Sequence, residues 1–420
     1  MKNRIPTAQV DSFLLNVFET CVYNLSNKFK NYHCMKTSMK LILGLLLIAL
    51  SLQGFAQKPE PVYSIVRQVH DFDWYEQQAK AWKQKIDRGT NDKMAWVYWF
   101  MANRMAGQCC DYKKWESKIG DYFVPKAKMI EMAEKTIPNS FEFYFLKTYE
   151  DSIPGFNKST EYLLKAQEIK PFDPLLLPLL VNHYQFVNDK TNLEITCKKW
   201  YESNEMPQEI LITAYNNLIS LEPNAILLTY GDNDTYPYWV LQYSQKIRPD
   251  VLVLSIPLAT NYEEYRKNIF TENNIALLTF KNDSDKIDRN LFKHLITTVI
   301  NRPIYVSIFT DWKVYKGYEN KMYFVGLSLK YSKKPFNNIA VLRNNIENKF
   351  MLDFLKRSFY NNPAESACKM VNGGYVASFM KLADYYKQSG EPDKAKKMKE
   401  LAITVARNSG YTEWVKDLEK

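Results

Sequence analysis

Carboxylates and aromatic rings are concentrated in one short stretch of this 420-residue chain, residues 231–239, GDNDTYPYW. Asp232 and Asp234 stand one residue apart and offer the oxygen ligands that Mg²⁺ and Ca²⁺ prefer. Aromatic rings follow directly, and such rings either stack on a ligand such as a sugar or pack in a core. The candidate ligand-binding residues are Gly231, Asp232, Asn233, Asp234, Thr235, Tyr236, Tyr238 and Trp239.

Two apolar runs, 225–230 and 251–256, bracket this stretch and must position it. Neither run alternates polar and apolar residues, which is typical of strands covered on both faces in a parallel sheet. Gly231 suits the turn after the first run, and Pro237 suits the first turn of a helix, where its missing N–H is not needed. The pattern predicts a strand-turn-helix-strand unit with both acids at the carboxyl end of a strand, where open α/β sheets bind ligands.

Helix and strand patterns continue to alternate downstream. They predict helices at 262–270 and 290–300, strands at 275–280 and 303–309, and a last strand at the edge, 323–329. This order is typical of a mostly parallel, Rossmann-like sheet whose strands all end along one edge. That edge would hold a candidate metal set of Asp232, Asp234, Asp283 and Asp311. Asp and Asn also cap helices and form turns at such places, so a divalent cation and simple capping both remain open.

Helical patterns flank the sheet on both sides. Trp96, Trp99, Phe100 and Asn103 recur at helical spacing, as one buried face of a helix would. Ala133-x4-Pro138 returns as Ala166-x4-Pro171 at a spacing near the period of about 34 residues of tetratricopeptide repeats. A second repeat-like pattern comprises Phe379, Leu382, Ala383, Tyr386, Ala395 and Ala402. The predicted fold class is α/β plus all-α, with tetratricopeptide-like hairpins around the sheet; an ordinary helical bundle is the alternative for the helices.

The N-terminus has the features of a secretory signal peptide. Lys36 and Lys40 precede the apolar run 41–50, and small residues lead to a cleavage site before Gln57. The run is shorter than the roughly 20 residues that a membrane-spanning helix needs, so we expect no transmembrane span after cleavage. A secretory signal predicts a periplasmic or otherwise extracytoplasmic location. The expected regions are an upstream extension 1–34, the signal peptide 35–56, a helical repeat region 57–221, an α/β domain 222–336 and a helical region 337–420.

Charge and cysteine usage exclude some classes of function. The formal net charge is +10, but no basic block is interleaved with aromatic residues, so nucleic acid is not an expected partner. Four cysteines follow the predicted cleavage site, none in a C-x-x-C spacing, which disfavours zinc. They are Cys109, Cys110, Cys197 and Cys368. A disulfide between distant cysteines and buried free thiols both remain open, and no cofactor is established.

Three motifs give the chain a likeness to a known family. They are GDNDTYP at 231–237 with Trp239, then Arg248 with Asp250, then RPIY at 302–305. In these motifs the chain resembles the soluble C-terminal region of bacterial multi-spanning membrane proteins of unassigned function, which are similar to protein O-mannosyltransferases. The likeness covers about 210–336 and lacks the membrane-embedded half. It implies an α/β region beside tetratricopeptide-like helices outside the inner membrane, and it carries over no transferase activity.

The residues together favour an exported, non-enzymatic interaction or ligand-binding protein of the cell envelope, with an envelope protein or a glycan as its partner. The alternative is a metal-dependent enzyme that acts on an envelope glycan or phosphoester, with Asp232 and Asp234 as ligands. Gly231 stands alone where a phosphate-binding loop would need several glycines. The sequence leaves open whether the protein catalyses any reaction.

Overall fold

The computed structural model describes residues 59–64, 67–120, 122–151, 157–280, 287–356 and 365–419. The expected upstream extension and signal peptide lie outside these ranges. Within the described ranges, none of the helices combines the length and apolar character needed to cross a membrane.

The first described region, up to residue 221, is helical, as its sequence pattern predicts. Its helices are α1 (Phe72–Asp87), α2 (Met94–Met105), α3 (Tyr112–Ser117), α4 (Lys126–Thr136), α5 (Phe141–Lys147), α6 (Thr160–Ile169), α7 (Leu177–Phe186), α8 (Lys190–Glu202) and α9 (Gln208–Ser220). Neighbours in sequence pack together, α1 on α2, α5 on α6 and α7 on α8. Helical hairpins are therefore the basic unit of this region.

Helix α2 supplies the aromatic centre of the helical core. Trp96, Trp99, Phe100 and Asn103 are all buried, as their spacing predicts. Trp99 Nε1 donates to the carbonyl of Tyr122 at 2.8 Å, and Asn103 Nδ2 donates to the same oxygen at 3.2 Å. These bonds satisfy polar groups that would otherwise be buried without partners. They fix α2 firmly, and with it the residues of its last turn.

The sheet has five strands in the order β2-β1-β3-β5-β4. They are β1 (Ile226–Thr229), β2 (Leu252–Ser255), β3 (Ile304–Ser307), β4 (Met322–Phe324) and β5 (Ser328–Tyr331). β1 pairs in parallel with β2 and β3, whereas β5 pairs antiparallel with β3 and β4. The sheet is mixed, and the prediction of a mostly parallel sheet is wrong.

The mixed character has its origin in Gly326. The run 323–329, which predicts one strand, instead forms the hairpin of β4 and β5, in which Val325 N–H bonds to the Ser328 carbonyl at 3.0 Å. Gly326 has a φ of +130°, a conformation that L side chains rarely adopt. Since the chain reverses there, β5 runs opposite to β4, and it pairs antiparallel with β3.

The helices between the strands are α10 (Tyr236–Gln245), α11 (Ile256–Asn261), α12 (Glu263–Glu272) and α13 (Asp288–Thr298). Helices α10, α12 and α13 agree with their sequence patterns, whereas α11 was not predicted. The predicted strand 275–280 is wrong, since this segment is irregular and mostly outside the core. Ile275 N–H bonds to the Phe270 carbonyl at the end of α12, and Arg266 Nε donates to the Leu278 carbonyl at 2.8 Å. One backbone bond and one side-chain bond thus hold a segment that the sheet does not pair.

Arg248 fastens the end of α9 to the start of β2. Its guanidinium binds Asp250 through Nε and Nη2, both at 2.8 Å. Its Nη1 donates to the carbonyls of Leu218 and Leu221, and Nη2 also reaches the carbonyl of Glu222. The arginine keeps the pKa of Asp250 low, at about 2. The R-x-D motif therefore has a structural role, in which a fork of donors caps carbonyls that a helix end leaves unpaired.

The C-terminal region returns to helices with a core of their own. They are α14 (Asn338–Asn344), α15 (Glu365–Gly373), α16 (Val376–Gln388), α17 (Pro392–Asn408) and α18 (Thr412–Glu419). Helix α16 packs on α17 and buries Phe379, Leu382 and Tyr386. A π turn, Asn345–Lys349, and a 3-10 turn, Asp353–Lys356, lie between α14 and α15.

Candidate functional site

The turn after β1 has the form that the sequence predicts. Gly231 lies at the carboxyl end of the strand with a φ of +93°, which glycine adopts without strain. Asp232–Asp234 makes one 3-10 turn, and α10 begins at Tyr236 with Pro237 in its first turn. No side-chain cap bond is found at either of these two starts. Helix capping therefore does not explain the two acids.

Asp234 is a buried anchor between this turn and the sheet. Its carboxylate accepts the Tyr230 N–H at 2.9 Å and the Ser307 hydroxyl at 2.5 Å. The side chain is 4% exposed, and burial raises its pKa to about 8, although hydrogen bonds from Ser307, Tyr230 and Tyr238 act in the opposite direction. Asp234 thus joins the end of β1 to the end of β3.

The anchor continues as a network of buried side chains. Asn217 Nδ2 donates to the Tyr238 hydroxyl at 2.8 Å, and Ser328 Oγ donates to Asn217 Oδ1 at 2.6 Å. Tyr238 is 2% exposed and is also a hydrogen-bond partner of Asp234. The network links α9, α10, β3 and β5. Tyr238 therefore belongs to the core, and no ligand can stack on it in this conformation.

Asp232 turns toward the helical region instead. The Tyr236 hydroxyl accepts Asn182 Nδ2 at 2.7 Å and hydrogen-bonds to the Asp232 carboxyl. Surrounding protein raises the pKa of Asp232, and the charge of Arg104 and the bond to Tyr236 partly offset that rise. Asp232 nevertheless keeps contact with solvent. A solvated carboxyl within a mostly apolar surrounding is typical of a cavity wall.

That wall belongs to a cavity of about 610 Å³ between the helices and the GDNDTYP turn. The motif contributes one side of it, with Gly231, Asp232, Asn233, Thr235, Tyr236, Pro237 and Trp239. The helices contribute the other side, with Tyr98, Met101 and Arg104 of α2, Leu179 and Asn182 of α7, and Trp200 of α8. Ser255, Pro257 and Leu258 close it from the end of β2. Two regions distant in sequence thus share one cavity.

The predicted carboxylate set is not brought together by the described residues. Asp311 is exposed, accepts the Lys313 N–H at 2.9 Å and so caps its own 3-10 turn. Asp283 lies outside the described residues. In the described ranges, no three His, Cys, Asp or Glu side chains form a group that could hold a metal ion. Asp232 and Asp234, although neighbours in sequence, have different hydrogen-bond partners.

Arg104, Tyr149 and Asn182 line the cavity and were not foreseen from the sequence. Arg104 places its guanidinium 5.1 Å from the centre of the Tyr149 ring, in a cation–π arrangement. No local motif marks these residues, which are far from residue 231 in the chain. Only the cavity that they share with the turn reveals them.

One family model is similar to part of the chain. TMEM260-associated domain 2 matches residues 211–262. The match covers Asn217, Asp234 and Tyr238 of the buried network, the GDNDTYP turn, the Arg248–Asp250 pair and α11, and it hints at a relation to TMEM260-like membrane proteins. No curated protein matches the chain. The matched range includes one side of the cavity and none of α2.

Proposed function

We propose that the protein is a non-enzymatic binding protein of the cell envelope that holds a ligand in the cavity between its helices and the GDNDTYP turn. The observation that carries the proposal is the composition of the wall. Side chains from α2, α7, α8 and the turn converge on a volume of about 610 Å³. Sites for small ligands commonly have volumes of about 300 to 1,000 Å³, mostly apolar walls and a few placed polar groups.

Aromatic rings and a short polar chain give this wall its character. Tyr98, Trp200 and Tyr236 offer rings, and Asn182, Tyr236 and Asp232 form a hydrogen-bonded series at the wall. A ligand with an apolar body and one or two polar groups suits such a surface. We propose that this ligand is part of an envelope protein or of a glycan.

The buried anchor favours binding over metal-dependent catalysis. A metal-dependent enzyme would use Asp232 and Asp234 together, but Asp234 is engaged by a backbone N–H and by Ser307. Burial raises its pKa to about 8, so the neutral carboxyl predominates at neutral pH. A neutral, fully engaged carboxyl is a poor ligand for a divalent cation.

We also propose that α16 and α17 form a tetratricopeptide-like hairpin and that the chain is related to the soluble part of protein O-mannosyltransferase-like proteins. Support for the hairpin comes from the burial of Phe379, Leu382, Tyr386 and Ala402, which occupy the repeat-like positions. Support for the relation comes from the GDNDTYP turn and its partners. Such a hairpin needs a neighbour to cover its apolar face, and Tyr386 donates to the Glu347 carboxylate of the adjoining segment.

The proposed binding is tested by filling the cavity. Leu179 lines the cavity and is 9% exposed, so Leu179→Trp places an indole inside it. Ile300→Trp, at a position that is 87% exposed, is the matched control. A small-molecule library is screened by ligand-observed NMR against the full chain and both variants, with circular dichroism to check folding. We expect ligands that bind the wild type and Ile300→Trp but not Leu179→Trp; equal binding to a folded Leu179→Trp would refute the proposal.

The proposed location has a separate test. The full chain, produced in a Gram-negative host with a C-terminal tag, should be recovered from the periplasm with Gln57 as its first residue. N-terminal sequencing of the recovered protein checks this. An intact leader on a protein confined to the cytosol would contradict the proposed export.

A further inference from the structure

The charged side chains of the cavity wall are not all paired. Arg67 and Glu205 form an ion pair with each other. Asp173 accepts the N–H of Leu175 at 3.0 Å, so it serves its own turn. The other three charged side chains of the wall, Arg104, Asp173 and Asp232, have no ion-pair partner among the residues that the structure describes. The cavity therefore presents one cation and two carboxyls that no ion pair neutralises.

Arg104 is placed to bind an anion. One face of its guanidinium lies over the Tyr149 ring, which restricts its orientation without using its N–H donors. Its position on α2 is fixed one turn after Trp99, which is held by the Tyr122 carbonyl. A guanidinium offers its donors in a planar fork that matches a carboxylate. A carboxylate of the ligand would complete the hydrogen bonding of this side chain.

Asp232 is placed to bind a cation or another donor. Arg104 acts on Asp232 through its charge, yet the two are not an ion pair in the described structure. Both side chains line the same cavity, so water or a polar group of a ligand can bind between them. A group that serves both carries an acceptor for Arg104 and a donor for Asp232.

We propose that the cavity binds an α-amino acid group, with its carboxylate on Arg104, its ammonium on Asp232 and its side chain among the aromatic rings of the wall. This inference rests on the proposed binding function and specifies the chemical group by which the ligand is bound. The group is presented either by a free amino acid or by a residue that is attached to a larger envelope molecule through its side chain. A peptide bond at either end of the residue would remove one of the two charges that the cavity complements.

Calorimetric titration of the full chain tests this with the twenty free amino acids, followed by three analogues of each binder. The amide lacks the carboxylate, the N-acetyl form lacks the ammonium, and the α-hydroxy acid replaces the ammonium by a neutral donor. We expect the amide and the N-acetyl form to bind about tenfold more weakly or worse, as for the loss of one partner of a buried charge pair. Nε-acyl-lysine compared with lysine distinguishes a side-chain-linked source from a free one.

Substitutions of Arg104 and Asp232 test which residue binds the carboxylate of the ligand and which binds its ammonium. Arg104→Gln should weaken binding of the amino acid and of the hydroxy acid by about tenfold or more, and Arg104→Lys should weaken both less. Asp232→Asn should weaken the amino acid by a similar factor but the hydroxy acid by less than about threefold. Arg88→Gln, at an exposed position at the end of α1, is the matched control and should change neither.

The outcomes separate this inference from the proposed function. Equal binding of the amino acid and its amide, unchanged binding by folded Arg104→Gln, or no binding of any amino acid would overturn the inference. If neutral compounds bind instead and Leu179→Trp excludes them, the cavity remains a binding site for another ligand class. If no library compound binds the wild type, the proposed function fails as well.

Discussion

The buried carboxyl of Asp234 predicts an unusual dependence of stability on pH. Its pKa is about 8 in the folded protein, against about 3.9 in an unfolded chain. Between these values the folded state binds the proton and the unfolded state does not. The stabilisation that results from proton binding by folded Asp234 is therefore fully present below about pH 4 and is lost as the pH rises toward 8. Each pH unit within this window changes the free energy of unfolding by about 1.4 kcal/mol.

The variant Asp234→Asn removes this titration and keeps the shape of the neutral side chain. Its carbonyl can accept the Tyr230 N–H, and its amide can donate to Ser307 Oγ, which replaces the two bonds of Asp234. From pH 5 to pH 8 the wild type should lose about 3 kcal/mol of stability relative to Asp234→Asn. Below about pH 4, where Asp234 is neutral in both states, the two proteins should differ by about 1 kcal/mol or less.

Urea unfolding of both proteins at pH 5, 6, 7 and 8, followed by circular dichroism, measures this difference. The exposed Asp384 on α16 provides the control, since Asp384→Asn should give a curve parallel to that of the wild type. Parallel curves for Asp234→Asn and the wild type would refute the reasoning, because they would mean that Asp234 is ionised throughout this range.

Two further substitutions test the elements that position the cavity. Arg248→Lys should lower the free energy of unfolding by about 2 kcal/mol, because a lysine cannot bind Asp250 and the helix carbonyls together. The control Arg407→Lys, at an exposed ion pair, should lower it by less than about 0.5 kcal/mol. Equal losses in the two variants would contradict the role of Arg248. Gly231→Ala should lower the free energy of unfolding by about 1 kcal/mol, because φ is +93° while nothing lies within 4 Å of the added methyl group. Gly120→Ala, also in open space but without positive φ, should change the free energy of unfolding little. A similar loss in both glycine variants would show that φ is not the cause. Urea unfolding measures all four variants.

The sequence predicts the strand-turn-helix-strand unit because each part of it is a local signal. Apolar runs mark β1 and β2, Gly231 marks the turn, and Pro237 marks the first turn of α10. The buried face of α2 is also a local signal, because the spacing of residues within one helix defines it. Such features depend on few neighbours, and the structure agrees with them.

The parts that the sequence did not predict depend on distant partners. Gly326 within an apolar run is compatible with a strand, and only the pairing of β5 with β3 shows that the chain reverses there. Asp234 has the same local surroundings as a capping residue, but its partner is Ser307 on another strand. Arg104 becomes a candidate only because α2 and the GDNDTYP turn line the same cavity. Side-chain chemistry marks candidate residues, and tertiary packing decides which of them share a site.

Hydrogen exchange of the full chain, with and without a ligand from the screen, tests the central claim most directly. If the cavity is the binding site, amides of the turn 231–235 and of the last turn of α2 should both gain protection, because the ligand contacts both walls. Helix α18, which is distant in sequence from both walls, serves as the internal reference. Protection confined to the helices, or to surfaces that do not line the cavity, would contradict a ligand site shared by the two regions.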